Sequence, residues 1–115
     1  MILRLAAVLC GVAIFIAVSA AANAQSGIAS VYAYAGGRTA SGEHASPNDM
    51  TAAHRSLPFG STVRVTNLRN GRSAVVRIND RGPFVRGRVI DVTPAVARVL
   101  GFNGLAPVKL DVLHG

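Results

Sequence analysis

The sequence predicts an all-β domain, a small barrel of five or six short strands with one short helix. Short alternating runs rich in Val, Ile and Thr are separated throughout by Gly, Pro, Asn and Ser, the punctuation of strands and turns. Only one stretch, residues 93–101, carries helical spacing together with a cap and a stop. A chain of 115 residues has room for one such domain, and closing the sheet on itself removes its exposed edges.

The first 24 residues stand apart. "MILRLAAVLCGVAIFIAVSAAANA" has an early Arg4, an apolar run and a small-x-small ending at Ala22-Asn23-Ala24, the layout of a secretory signal peptide cleaved before Gln25. The competing reading is an uncleaved anchor, since the apolar run is nearly long enough to span a bilayer. The A-x-A ending favours cleavage, leaving no stable membrane anchor. Lipidation at Cys10 is disfavoured: Leu9 precedes it where a small residue is wanted, and most of the apolar run follows it. The expected mature domain, residues 25–115, has no cysteine, so an exported, periplasmic or secreted protein must fold without disulfides. It keeps eleven of the twelve Lys/Arg and all five acids, a net charge of +6. That charge draws it to polyanions such as cell wall. Export, and the lack of a recognition helix or stacking aromatics, argue against nucleic acid.

Along the domain, "SGIASVYAYAGG" (26–37) reads as a strand closing on a Gly-Gly turn, and residues 38–50 as a loop dense in Ser, Thr, Gly, Pro and Asn. "TAAHRSLPFG" (51–60) is ambiguous. "STVRVTNL" and "RSAVVRIN" flank Arg69-Asn70-Gly71, and an Asn-Gly pair tolerates the positive φ of a tight hairpin. Val63, Val65 and Leu68 are placed on one side, Arg64 and Thr66 on the other. "RVIDV" is a further strand. Thr93 then caps a helix with Pro94 at its first position, an apolar stripe of Val96, Val99 and Leu100, and Gly101 at its end. "LAPVKLDVL" (105–113) alternates as a closing strand.

The chemistry must come from few residues. No nucleotide-binding glycine loop, G-x-S-x-G elbow, H-E-x-x-H helix or paired cysteine ligands occur. Glu43, His44, Asp49, His54 and Asp80 remain, all on loops or strand ends. Carboxylates at a barrel rim suit glycosidic cleavage, where one must be protonated to donate to the leaving oxygen. Glu43 and Asp80 form such a pair if the first loop folds over the 79–83 turn. Arg77 and Arg81, if close to Asp80, favour its ionised form. Each residue also has a plainer role. Asp80 before Arg-Gly-Pro is more often a turn former capping backbone N–H groups, Glu43 a solvated acid and His54 a packed histidine. Asp91 is placed to serve the helix N-terminus and Asp111 the surface. The spacing of these side chains matches no metal template, and neither metal nor cofactor is expected.

Taken in order, "GIASVYAY", "RTASGE", "MTAAH", "LPFGSTVRVTNLRNGRSAVVRINDRGPF" and "RVIDVTPAVARVLG" resemble the rare lipoprotein A family over essentially the whole domain. The resemblance implies a six-stranded double-psi β-barrel with one short helix. It implies a monomeric lytic transglycosylase of peptidoglycan glycan strands, which cleaves the MurNAc–GlcNAc bond with the sugar's own 6-hydroxyl and leaves a 1,6-anhydro end. By motif, the catalytic residues would be Asp80 of "NDRGP" as acid/base, Glu43 of "TASGE" as its partner or an alternate acid, and His54 of "TAAH" orienting one of them. Arg81, Tyr32 and Asn79 are the expected substrate-binding residues. The sequence departs from the family in lacking a lipobox and a C-terminal glycan-binding domain, and in a short loop between Tyr34 and Arg38. A non-catalytic wall-binding module of the expansin kind is the competing reading, and an endoglucanase-type hydrolase a weaker third.

Overall fold

The computed structural model describes residues 24–32 and 36–115. Six strands close into one barrel: β1 (Ala24–Val31), β2 (Thr51–Ala53), β3 (Thr62–Asn67), β4 (Ser73–Asp80), β5 (Arg88–Val92) and β6 (Leu105–His114), with helix α1 (Pro94–Leu100) before the last. Around the barrel the order is β1-β5-β2-β4-β3-β6. β1/β5 and β2/β4 run parallel, and the other neighbours are antiparallel. The expected signal peptide and Cys10 lie outside the described residues, apart from Ala24, which already pairs with Asp111 in the barrel wall.

The inward positions follow the period of two. Val63 and Val65 of β3, Ala74, Val76 and Ile78 of β4, and Ala106, Val108 and Leu110 of β6 are buried, whereas Arg64, Val75, Arg77 and Lys109 between them face out. Ile90 and Val92 of β5 complete the interior with Ala29 and Ala52. The ambiguous segment holds a strand of only three residues, Thr51–Ala53, entirely buried between β4 and β5.

Three local expectations need correction. Leu68 is exposed, and Asn67 takes the inward place instead. Its Nδ2 donates to the Leu100 carbonyl at 2.9 Å and Asn70 Nδ2 donates to the same oxygen at 3.0 Å, satisfying a helix-end carbonyl that has no partner within the helix. The hairpin is looser than a two-residue turn: Asn67 N–H donates to Arg72 O at 2.8 Å, and of Asn70 and Gly71 only the glycine has positive φ, 77°. In α1 the buried residues are Val96, Ala97 and Leu100, while Val99 is exposed. At 100° per residue, Leu100 lies between Val96 and Ala97 on the face that meets β4 and β5, and Val99 falls off its edge. The ends of the helix are as the sequence predicts, with Thr93 Oγ1 accepting from Val96 N–H and Gly101 in the left-handed conformation at its C-terminus.

Candidate active site

Asp80 reaches its position through a slip in register. Thr51 pairs with Arg77 and Ala52 with Ile78, but Ala53 pairs with Asp80, so Asn79 is an extra residue. A bulge of this kind re-aims the side chain that follows it. Ile78 points into the core, and Asp80 would too if the strand alternated regularly. The slip instead sets Asp80 beside Ala53, which pairs on its other side with Asp91 of β5, itself paired with Ser30 of β1. Laterally paired residues share a face, so Ser30, Asp91, Ala53 and Asp80 form one row across four strands on the side of the wall away from the core, Ser30 and Ala53 buried and the two acids half-buried.

Three donors converge on the Asp80 carboxylate. Ala40 N–H and Arg81 N–H donate to Oδ1 at 2.8 and 2.9 Å, and the Tyr32 hydroxyl donates to Oδ2 at 3.0 Å. The loop bearing Ala40 is a small hairpin in its own right. Arg38 bridges His44, Thr39 N–H donates to Glu43 O at 2.9 Å, and Ser41 N–H fastens the tip to Asn79 O at 3.2 Å. The chain leaves the site through the cis Gly82–Pro83 peptide, with Gly82 at φ +117°, a conformation that side chains rarely adopt. The turn-former role of Asp80 and its place at the rim are therefore one arrangement.

Glu43 does not join this row. Although its loop folds over the end of β4, its carboxylate meets Arg77 in a two-pronged pair, Nη2 to Oε1 at 2.9 Å and Nη1 to Oε2. The Arg77 hydrogen bond holds Glu43 below the usual carboxylate range; slight burial opposes this, and the Asn79 side chain and the Arg77 charge assist it. Asn79 is buried, and among the described residues its Oδ1 has no partner.

Neither arginine side chain reaches the Asp80 carboxylate. Arg77 is taken by Glu43. Arg81 turns back to donate to Leu57 O at 2.8 Å and His54 O at 3.2 Å, with its guanidinium 4.0 Å from the Phe59 ring centroid. It clamps the 54–59 loop. His54 contributes to the Asp80 region only through its backbone N–H, which donates to Asp80 O at 3.1 Å. Its ring faces the other way. Nδ1 accepts from the Ser56 and Leu57 amides at 3.1 Å each, which leaves the proton on Nε2 to donate to Gln25 Oε1 at 3.0 Å. Burial, then the charges of Arg55 and Arg81, push its pKa below 6.5 and keep the ring neutral. A cavity of about 320 Å³ adjoins this ring, lined chiefly by Gln25, His54, Leu57, Leu110 and Val112; it does not touch Asp80 or Glu43.

The family model described as "Lytic transglycolase" matches residues 24–110. The chain belongs to the rare lipoprotein A family. It is 64% identical over 93 residues to an RlpA protein of Nostoc sp., a match covering 76% of this chain and 25% of that protein. It is 49% identical over 99 residues to the endolytic peptidoglycan transglycosylase RlpA of Pasteurella multocida, covering 83% of this chain and 34% of that protein. This rare lipoprotein A chain thus spans about a quarter to a third of the length of these curated relatives. In shape it is similar to an expansin from Clavibacter michiganensis, with a TM-score of 0.64 and 22% identity over 79% of this chain and 50% of that one. That likeness is one of fold.

One residue of the row escaped the sequence reading. Asp91 does not serve the helix N-terminus, where Thr93 is the cap; its Oδ1 accepts from Ser30 Oγ at 2.9 Å. The signal was present in "RVIDV", where inward Ile90 and Val92 leave the residue between them on the outer face.

Proposed function

We propose that this domain is a peptidoglycan lytic transglycosylase that cleaves the MurNAc–GlcNAc bond and leaves a 1,6-anhydro end. Residues 1–24 act as its export signal, so that it works as a monomer in the periplasm or outside the cell. The reading is supported chiefly by Asp80, a carboxylate held at the barrel rim by three donors inside the motif that ties the chain to its family. The names of the relatives point to the same chemistry.

Intramolecular attack by the 6-hydroxyl needs a base for the hydroxyl proton and a donor for the leaving oxygen, but no carboxylate spaced to activate water. Asp80, whose two oxygens already accept from three groups, is suited to the first task and to facing the positive charge that develops at C1. Tyr32 orients it. Glu43, ionised in its pair with Arg77, fixes the first loop and adds negative potential; the same pairing argues against an alternate acid. His54 and Arg81 position the 54–59 loop, and Asn79 supplies the bulge.

Purified sacculi digested with the protein should release muropeptides lighter by one water than hydrolytic products, as read by mass spectrometry. Asp80→Asn should cut that release by about a hundredfold or more. Undiminished release from Asp80→Asn would sink the assignment. Salt-sensitive pelleting with no soluble product from the wild type would favour a wall-binding module.

A further inference from the structure

We propose that Asp91 is the second catalytic carboxyl of this site, the acid that protonates the leaving glycosidic oxygen while Asp80 receives the proton of the attacking hydroxyl. The inference rests on the transglycosylase reading above and assigns the step that Asp80, already an acceptor three times over, is poorly placed to perform.

The geometry carries it. Ala53 is the register partner of both acids, Asp80 on β4 and Asp91 on β5. Strands lie about 4.8 Å apart, so the two Cα atoms are roughly 10 Å apart on one face, with only a methyl group between them. Among the described residues the groups facing Asp91 are few. β1 presents Ser30, which donates to Oδ1, and beyond it Tyr32, whose hydroxyl crosses to Asp80; β2 presents Ala53; β4 presents Asp80. Arg88 lies three residues back on Asp91's own strand. Asp91 is only half-buried, so substrate can reach it.

The electrostatics agree. Desolvation pushes the Asp91 carboxyl above the usual 3.8; the Ser30 hydrogen bond and Arg88 work against the rise, and the negative charge of Asp80 adds to it. Those surroundings favour the protonated carboxyl that a proton donor needs.

The step balances. The Asp91 proton passes to the glycosidic oxygen, and the C1–O bond breaks with its electron pair going to that oxygen, which becomes the hydroxyl of the departing sugar. The 6-oxygen bonds to C1 and gives its proton to Asp80. Proton exchange with solvent resets both carboxyls. No water is consumed.

The test is carboxyl-carbon NMR titration of the protein alongside pH profiles of anhydro-product release from sacculi. The Asp91 carbon should titrate above 3.8 and move down in Asp80→Asn. Asp91→Asn should pellet with sacculi as the wild type does, yet lose about a hundredfold or more in release, together with the alkaline limb of the profile. Ser30→Ala removes the hydrogen bond that lowers Asp91, so it should move both the titration and the alkaline limb upward while the protein stays folded. An active wild type with Asp91→Asn within tenfold of it and the limb intact would overturn the proposal, as would an Asp91 titration at or below 3.8. A wild type that releases no anhydro product, but whose Asp91 titration is raised and coupled to Asp80, would instead overturn the transglycosylase reading and leave the acid pair standing.

Discussion

The half of the barrel built from β3, β4 and β6 and the half built from β1, β5 and β2 use the same strands-and-turns vocabulary to opposite ends. In the first, antiparallel neighbours alternate with valines and Ile78 inward and Arg64, Val75 and Lys109 outward, and the one slip, between Thr62 and Val63, falls at the start of β3. The second holds the parallel pair β1/β5 and joins the first through the parallel pair β2/β4, and each of these pairs slips register, between Ile28 and Ala29 and between Ala52 and Ala53. Regular alternation seals a core. The slip at Asn79 moves Asp80 to a place that alternation would not give it, in line with Ala53, Asp91 and Ser30.

Substitutions should separate the alternating core from the row that a register slip exposes. Asp80→Asn should cost about a hundredfold or more in product release while thermal unfolding stays close to that of the wild type. Ile78→Ala should do the reverse. Ile78 is fully buried two positions before Asp80, so the truncation should cost about 2–5 kcal/mol in urea unfolding while the specific activity of the folded fraction survives. A mutant of either kind that lost both properties together would break the distinction.

Smaller effects sharpen it. His54 belongs to the structural side of the site, and its lowered pKa gives a sign. The neutral ring is the one the fold binds, so its contribution is present above 6.5 and is lost as pH falls through the folded-state value. Urea midpoints between about pH 7 and about pH 5 should therefore fall more for the wild type than for His54→Gln. Arg77→Ala should let the Glu43 titration return upward, with a stability change under about 1 kcal/mol because the pair is exposed. Val75→Thr, on the outer face of the regular half, should change stability by no more than about 0.5 kcal/mol.

The same division decides what was legible in the sequence. β3, β4, β5, β6 and the helix with its Thr93 and Gly101 ends follow from period and punctuation, because local pattern and tertiary packing agree there. β2 did not, since three buried small residues carry no periodic signal. Leu68 and Val99 were misplaced because hairpin length and helix phase are set by what packs against them. The site was legible as a set of residue types but not as an arrangement. Glu43 lies five residues after Arg38 in a loop whose fold depends on Asn79 and Asp80, and spacing does not disclose its pair with Arg77. Asp91 was misread because its partner across the sheet is fixed by a bulge 12 positions away, at Asn79.

The most direct measurement is digestion of sacculi in water enriched in heavy oxygen, with the new glycan ends read by mass spectrometry. The expected result is release of anhydro ends carrying no heavy oxygen, abolished in Asp80→Asn. Heavy oxygen at the new ends would mean that water is the nucleophile, and would contradict the assignment of this outer-face row to intramolecular transglycosylation.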